Sequence, residues 1–166
     1  MCNMISQEQK NIKIRKIQKE DIEKIIPLLE QVSILHINMR PDIFKEKTEA
    51  DMEKEMLDII NDEEKISLVA EEKEKILGII VLKIKKVINH INLKNSKVLW
   101  IKELCVDENN RGKGIGKILI NNAKKIAKDL ECERLELNCW EANKDAITFY
   151  EKQGMKSQRR VMEIKI

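Results

Sequence analysis

The tightest constraint on this chain lies between residues 98 and 130, where a strand-like run, VLWIKELCV, passes through DENNRGKGIGK into a helical pattern. Three of the five glycines fall here at alternate positions, Gly112, Gly114 and Gly116. Alternating glycines let consecutive backbone N–H groups turn toward one point, and the helix N-terminus behind them adds its positive dipole end. Such a loop is expected to bind an anion such as a phosphate, with Lys113 and Lys117 adding charge beside it. A Walker loop would need two glycines five apart followed by Lys and Ser or Thr, and a dinucleotide fingerprint would need GxGxxG. The spacing here is GxGxG, so neither fits. Taken alone, the run reads equally well as a tight strand-to-helix turn.

The rest of the pattern frames that loop. Ile12, Ile14 and Ile17 suggest a first strand, and Ile22, Ile25, Ile26, Leu29, Val32 and Leu35 form a helical stripe in which Pro27 predicts a kink or restart. The segment His36–Lys47 breaks the pattern at Arg40 and Pro41; Thr48 with Asp51 then reads as a capping box opening a second helix to about Ile60. KISLVAEE and ILGIIVLKIKKV flank a charged turn and read as a hairpin. After the loop come a helix with Ile118, Leu119, Ile126 and Leu130, a strand in RLELNCW, a short helix stopped by Gly154, and a last strand in RRVMEIKI. The order β α α β β β α β α β, without repeat or Pro/Gly-rich linker, predicts a polar tail over 1–10 and one α+β domain over 11–166.

Composition excludes more than it selects. The chain's 166 residues and 42% hydrophobic content suit one domain with a core, and a net charge of +3 singles out no nucleic-acid surface. Its 27 Ile and 26 Lys against 6 Arg read as base-composition bias, and the lysines from Lys83 to Lys97 as a solvated hairpin. Cys2, Cys105, Cys132 and Cys139 match neither a metal pair nor a disulfide framework. With no apolar leader and no continuous apolar run of about 18 residues, a reduced, cytoplasmic, soluble protein without membrane or nucleic-acid partner is expected.

LWIKELCVDENNRGKGIGKILINNAKKIA, followed by LELNCWEANKDAITFYEKQGM, resembles the GNAT superfamily of acetyl-CoA-dependent N-acetyltransferases. Arg111, Gly114 and Gly116 occupy the positions of that family's R/Q-x-x-G-x-G/A loop. Asn143, Ala146, Phe149, Tyr150, Glu151 and Gly154 follow its downstream pattern in order. The resemblance covers residues 98–156; Met155 stands where an aromatic is usual, and Cys139 where Val often does. It implies an α/β/α arrangement with a mixed, mostly antiparallel sheet whose central strands splay around acetyl-CoA.

Roles follow from the resemblance residue by residue. Backbone N–H groups of Arg111, Gly112, Lys113, Gly114, Ile115 and Gly116, with Lys117 beside them, would hold the coenzyme A pyrophosphate. Leu104, Cys105 and Val106 would offer strand edges to the pantetheine arm, and Asn143 would hydrogen-bond it, although Asn143 serves equally as a helix N-cap. Tyr150 would protonate the departing sulfur. Glu103 would hold or deprotonate the acceptor, or else simply pair with Lys102. His36, Asp42 and Phe44 would border the acceptor pocket. An acetyl-cysteine route through Cys105 or Cys139 lacks a nearby base, and no metal is implied.

The resulting expectation is direct transfer to a primary amine in a ternary complex, the acceptor being a small molecule such as a polyamine or amino sugar. Acetylation of a protein N-terminus or lysine, and a non-catalytic acyl-CoA-binding module, are the alternatives. The C-terminal strand is also a candidate edge for a homodimer.

Overall fold

The computed structural model describes residues 11–166; the expected tail of residues 1–10, with Cys2, lies outside them. Five strands form one sheet in the order β1-β2-β3-β4-β5: β1 (Lys13–Lys16), β2 (Lys65–Glu72), β3 (Lys75–Val87), β4 (Ser96–Val106) and β5 (Arg134–Glu136). The first four pair antiparallel, and β5 alone runs parallel to its neighbour β4. Four α-helices flank the sheet: α1 (Ile22–Met39), α2 (Glu49–Ile60), α3 (Ile115–Asp129) and α4 (Lys144–Lys152).

Local chemistry accounts for most boundaries. Asp51 N–H donates to Thr48 Oγ1 at 3.2 Å and Thr48 N–H to Asp51 Oδ2 at 2.9 Å, so the expected capping box opens α2. The β2–β3 hairpin turns on Lys73 and Glu74, both left-handed (φ 48° and 64°), the backbone that matches strand twist in a two-residue turn. Pro27 neither ends nor restarts α1, which runs unbroken for 18 residues. Among the described residues no helix is long and apolar enough to cross a membrane.

Alternation on the strands sorts the core into two layers. One face packs Leu68, Ile80, Leu82, Leu99 and Ile101 against Ile115, Leu119, Ile120 and Ala123 of α3. The other packs Val69, Ile79, Val81 and Cys105 against Ile22, Ile25 and Leu28 of α1 and Met56 and Ile59 of α2. Arg15 ties β1 to the chain ahead of α1, donating at 2.6 and 2.8 Å to Asp21 and at 2.6 Å to Glu71. Asp21, 4% exposed, is held well below the usual carboxylate range by Arg15, against the opposing effect of burial.

Two expectations need correction. RRVMEIKI forms no strand: residues 155–166 carry no regular structure, and Val161, Met162, Ile164 and Ile166 are exposed. A strand forms only against a neighbour, and this tail is held instead by side-chain contacts, Gln158 to Glu136, Arg160 to Glu141, Glu163 to Arg40 and Lys165 to Asp42. The strand expected through RLELNCW is also short, ending at Glu136 where β5 leaves β4.

Candidate active site

The site begins with a one-residue irregularity in β4. Val81 pairs with Glu103 and Leu82 with Ile101, so Lys102 is an extra residue in the ladder. Such a bulge shifts the alternation by one. Leu99 and Ile101 pack on the α3 face, as do Leu104 and Val106 beyond the bulge, while Cys105 joins the α1/α2 face. Lys102 and Glu103 thereby lie side by side toward α2, where Lys102 Nζ reaches Glu55 at 3.5 Å.

Beyond Trp100, β4 has no second neighbour among the described residues, since β5 pairs only with Val98, Leu99 and Trp100. Asp107 N–H donates to Leu77 O at 2.9 Å, which sets the phase of the β3–β4 ladder. Two residues back, Cys105 then exchanges its backbone bonds with Ile79, and Leu104 and Val106 turn theirs to the open edge. The expectation for Cys105 is corrected accordingly: its backbone faces β3, and its Sγ–H donates to Leu28 O at 3.1 Å. Burial, reinforced by Glu103, pushes that thiol up to about 12, which leaves it an inert core residue. Cys139, half-buried, is likewise raised by burial and by Glu141.

The loop is built on Asp107. This buried carboxylate accepts from Asn110 Nδ2 at 2.6 Å and from Lys75 at 3.2 Å, which together outweigh burial and keep it ionised. Gly112 and Gly114 adopt φ +79° and +84°, the left-handed backbone that glycine permits without strain. Gly116 serves differently: it is helical, and a Cβ there would stand 2.9 Å from the Phe149 ring of α4. Ile118 N–H is the first to find an intrahelical acceptor, Gly114 O, so the N–H groups of Ile115, Gly116 and Lys117 project from the start of α3. Arg111 Nε donates to Val106 O at 3.3 Å and Lys113 Nζ to Asn110 Oδ1 at 2.9 Å, which fastens both basic residues beside the strand edge.

Glu103 stands on β4 itself, and Tyr150, on α4, is close enough to feel its charge. Glu103 has no ion-pair partner among the described residues; burial, then Glu55, raises its carboxyl to about 7. Tyr150, on α4 and edge-on to Phe149 at 5.2 Å, is held above the ordinary phenol range by burial, Cys139 and Glu103. Asn143 Oδ1 accepts from Ala146 N–H at 3.1 Å as the N-cap of α4, which leaves its amide N–H groups to donate elsewhere.

The three residues expected at the acceptor side form one cluster. His36 stacks on Phe44 at 4.9 Å, and Phe44 meets Trp140 edge-on at 5.6 Å. Arg40 lies 5.3 Å from the Trp140 ring centre and grips Asp42 through two 2.9 Å bonds. Asp42, also near Lys165, therefore has no free charge to offer a cationic amine. Burial and Lys47 lower His36 and favour its neutral form. Sequence reasoning missed Trp140, Arg40 and Glu55; the signal for Trp140 was scarcity, since the chain has only two Trp, two Phe and one Tyr.

Residues 32–155 match the family described as the acetyltransferase (GNAT) family. No match was found among curated protein sequences. A mutant of the BH1408 protein from Bacillus halodurans superposes with TM-score 0.89 at 28% identity, over 93% of this chain and 99% of that one. Glucosamine-6-phosphate N-acetyltransferase from Arabidopsis thaliana superposes with TM-score 0.67 at 26% identity, over 94% and 99%. The fold is also that of aminoglycoside N-acetyltransferase AAC(6')-Iy in complex with CoA, with TM-score 0.74 at 16% identity over 93% and 94%. The open sheet, the glycine loop and this match together define an acyltransferase class. The chain belongs to the GNAT family of acetyltransferases, enzymes that use acetyl-CoA.

Proposed function

We propose that residues 11–166 form a single N-acetyltransferase domain that acetylates the primary amine of a small molecule by direct attack in a ternary complex. Acetyl-CoA supplies the acetyl group as a thioester. The residues present suit it: loop N–H groups from Gly112 to Gly116 for phosphate oxygens, Lys113 and Lys117 for their charge, and Leu104, Val106 and the Asn143 amide for polar groups of the arm. Glu103 takes a proton from the incoming ammonium, which must be neutral to act as a nucleophile. Tyr150 keeps its proton on Oη at neutral pH and delivers it to the departing sulfur.

The observation that carries this reading is the unpaired half of β4: Leu104 and Val106 turn their backbone groups outward beside the open N-terminus of α3, and Glu103 and Tyr150 stand there near enough for one to feel the other's charge. A small acceptor is supported by the His36–Phe44–Trp140 cluster, which packs the segment after α1 against the chain beyond β5. It is supported too by the Arabidopsis relative, whose acceptor is a small amino sugar phosphate.

The test is release of free coenzyme A from acetyl-CoA across polyamines, amino sugars, amino acids and short peptides, with Tyr150→Phe alongside. Release with one small-amine class, falling on the order of 10²-fold in the variant, is the expected result. Release with peptides alone would transfer the reading to a protein acceptor. Binding without release from any acceptor would mark a non-catalytic module.

A further inference from the structure

Glu103 stands next to two lysines yet pairs with neither. The bulge sets Lys102 beside it on the same face of β4, and Lys47 approaches from the segment between α1 and α2. Both ammonium groups go instead to Glu55 of α2: Lys47 Nζ to Oε2 at 2.7 Å and Lys102 Nζ to Oε1 at 3.5 Å. Each carboxylate oxygen of Glu55 thus holds one lysine, and Glu55 remains ionised because these pairs outweigh its partial burial.

We propose that Glu55 is a positioning residue for Glu103: it draws Lys47 and Lys102 to itself and leaves the Glu103 carboxyl without an ion-pair partner. This rests on the reading of Glu103 as the base. The groups that face Glu103 are Glu55 from α2, Lys47 from the α1–α2 segment, Lys102 and Cys105 from β4, and Tyr150 from α4. Cys105 and Tyr150 are neutral at pH 7, so the local charge is set by one carboxylate and two ammoniums.

Removing the Glu55 charge acts twice in one direction. It deletes the carboxylate that acts on Glu103, and it frees two cations, one adjacent in the chain, to pair with Glu103. An ion-paired carboxylate is a weaker base, so proton abstraction from an ammonium should slow even though Glu55 touches no reacting atom. Substitution by Asp keeps the charge and, with a shorter reach, still engages at least the nearer lysine.

The experiment follows the Glu103 carboxyl by carbon-detected NMR titration in the full-length wild type, Glu55→Gln and Glu55→Asp, with Glu103→Gln to assign the resonance. The expected result is a midpoint at least one pH unit lower in Glu55→Gln, largely restored in Glu55→Asp. The acid limb of kcat/KM for coenzyme A release should move with it. An unmoved midpoint in Glu55→Gln, with native spectra elsewhere, overturns the proposal. A moved midpoint with an unmoved activity profile keeps the electrostatic arrangement and discards Glu103 as the base, so the two readings fail separately.

Discussion

At the scale of single residues, Glu103, the proposed base, would couple activity to stability. Its carboxyl goes from 4.5 to about 7 on folding, chiefly through burial. The folded state therefore prefers the protonated form; its contribution is complete below pH 4.5 and is lost as pH rises through about 7. A shift of that size corresponds to on the order of 3 kcal/mol. Glu103→Gln should accordingly be more stable than the wild type at pH 8.5 and nearly equal to it at pH 4, as read by urea denaturation at the two pH values. The same variant should lose about 10²-fold in kcat/KM, together with the limb near pH 7. Asp21 runs the opposite way, because Arg15 depresses it: that stability is present above its unfolded value and lost as pH falls through the folded one. Arg15→Ala strands a nearly buried carboxylate and should cost about 3 kcal/mol at pH 7, a loss that shrinks as pH falls below the ordinary carboxylate range.

Secondary-structure elements were legible to the extent that their signals are local. The capping box of Thr48, the stripe of α1 and the hairpin around Lys73 are written within a few residues, and each formed where the sequence indicated. The bulge at Lys102 was not, because a single extra residue leaves strand composition unchanged while exchanging the two faces. Without it the roles of Leu104, Cys105 and Val106 cannot be separated, and Cys105 was misread for that reason. Gly116 illustrates a role hidden in a motif: the residue was read for its loop, whereas its missing side chain lets α4 approach α3 through Phe149. Gly116→Ala should displace that ring, cost about 1–3 kcal/mol, and move the adjacent Tyr150. The checks are a thermal melt and a fall in kcat that exceeds any change in acetyl-CoA affinity.

Across the whole molecule, the two-layer core and the His36–Phe44–Trp140 cluster differ in how they are held. The sheet and its helices are fixed by buried apolar residues, the pattern that sequence periodicity reports. That cluster, proposed to border the acceptor, is joined by contacts between segments about a hundred residues apart, which no local pattern could disclose. Arg40 is the centre of that arrangement: it lies over Trp140, grips Asp42, and holds Glu163 of the unstructured tail at 2.8 Å. These ion pairs are solvent-exposed, and such pairs contribute little to global stability. Their effect falls on where the segment carrying His36 and Phe44 sits. Arg40→Ala should therefore leave the thermal midpoint nearly unchanged while raising the acceptor KM several-fold. kcat and the KM for acetyl-CoA should stay close to wild type, since the Arg40 side chain engages Asp42, Glu163 and Trp140 rather than the glycine loop, Glu103 or Tyr150. Glu163→Gln, which removes only the tail's grip, should raise the acceptor KM in the same direction by less. Equal kinetics in all three proteins would place the acceptor away from Trp140.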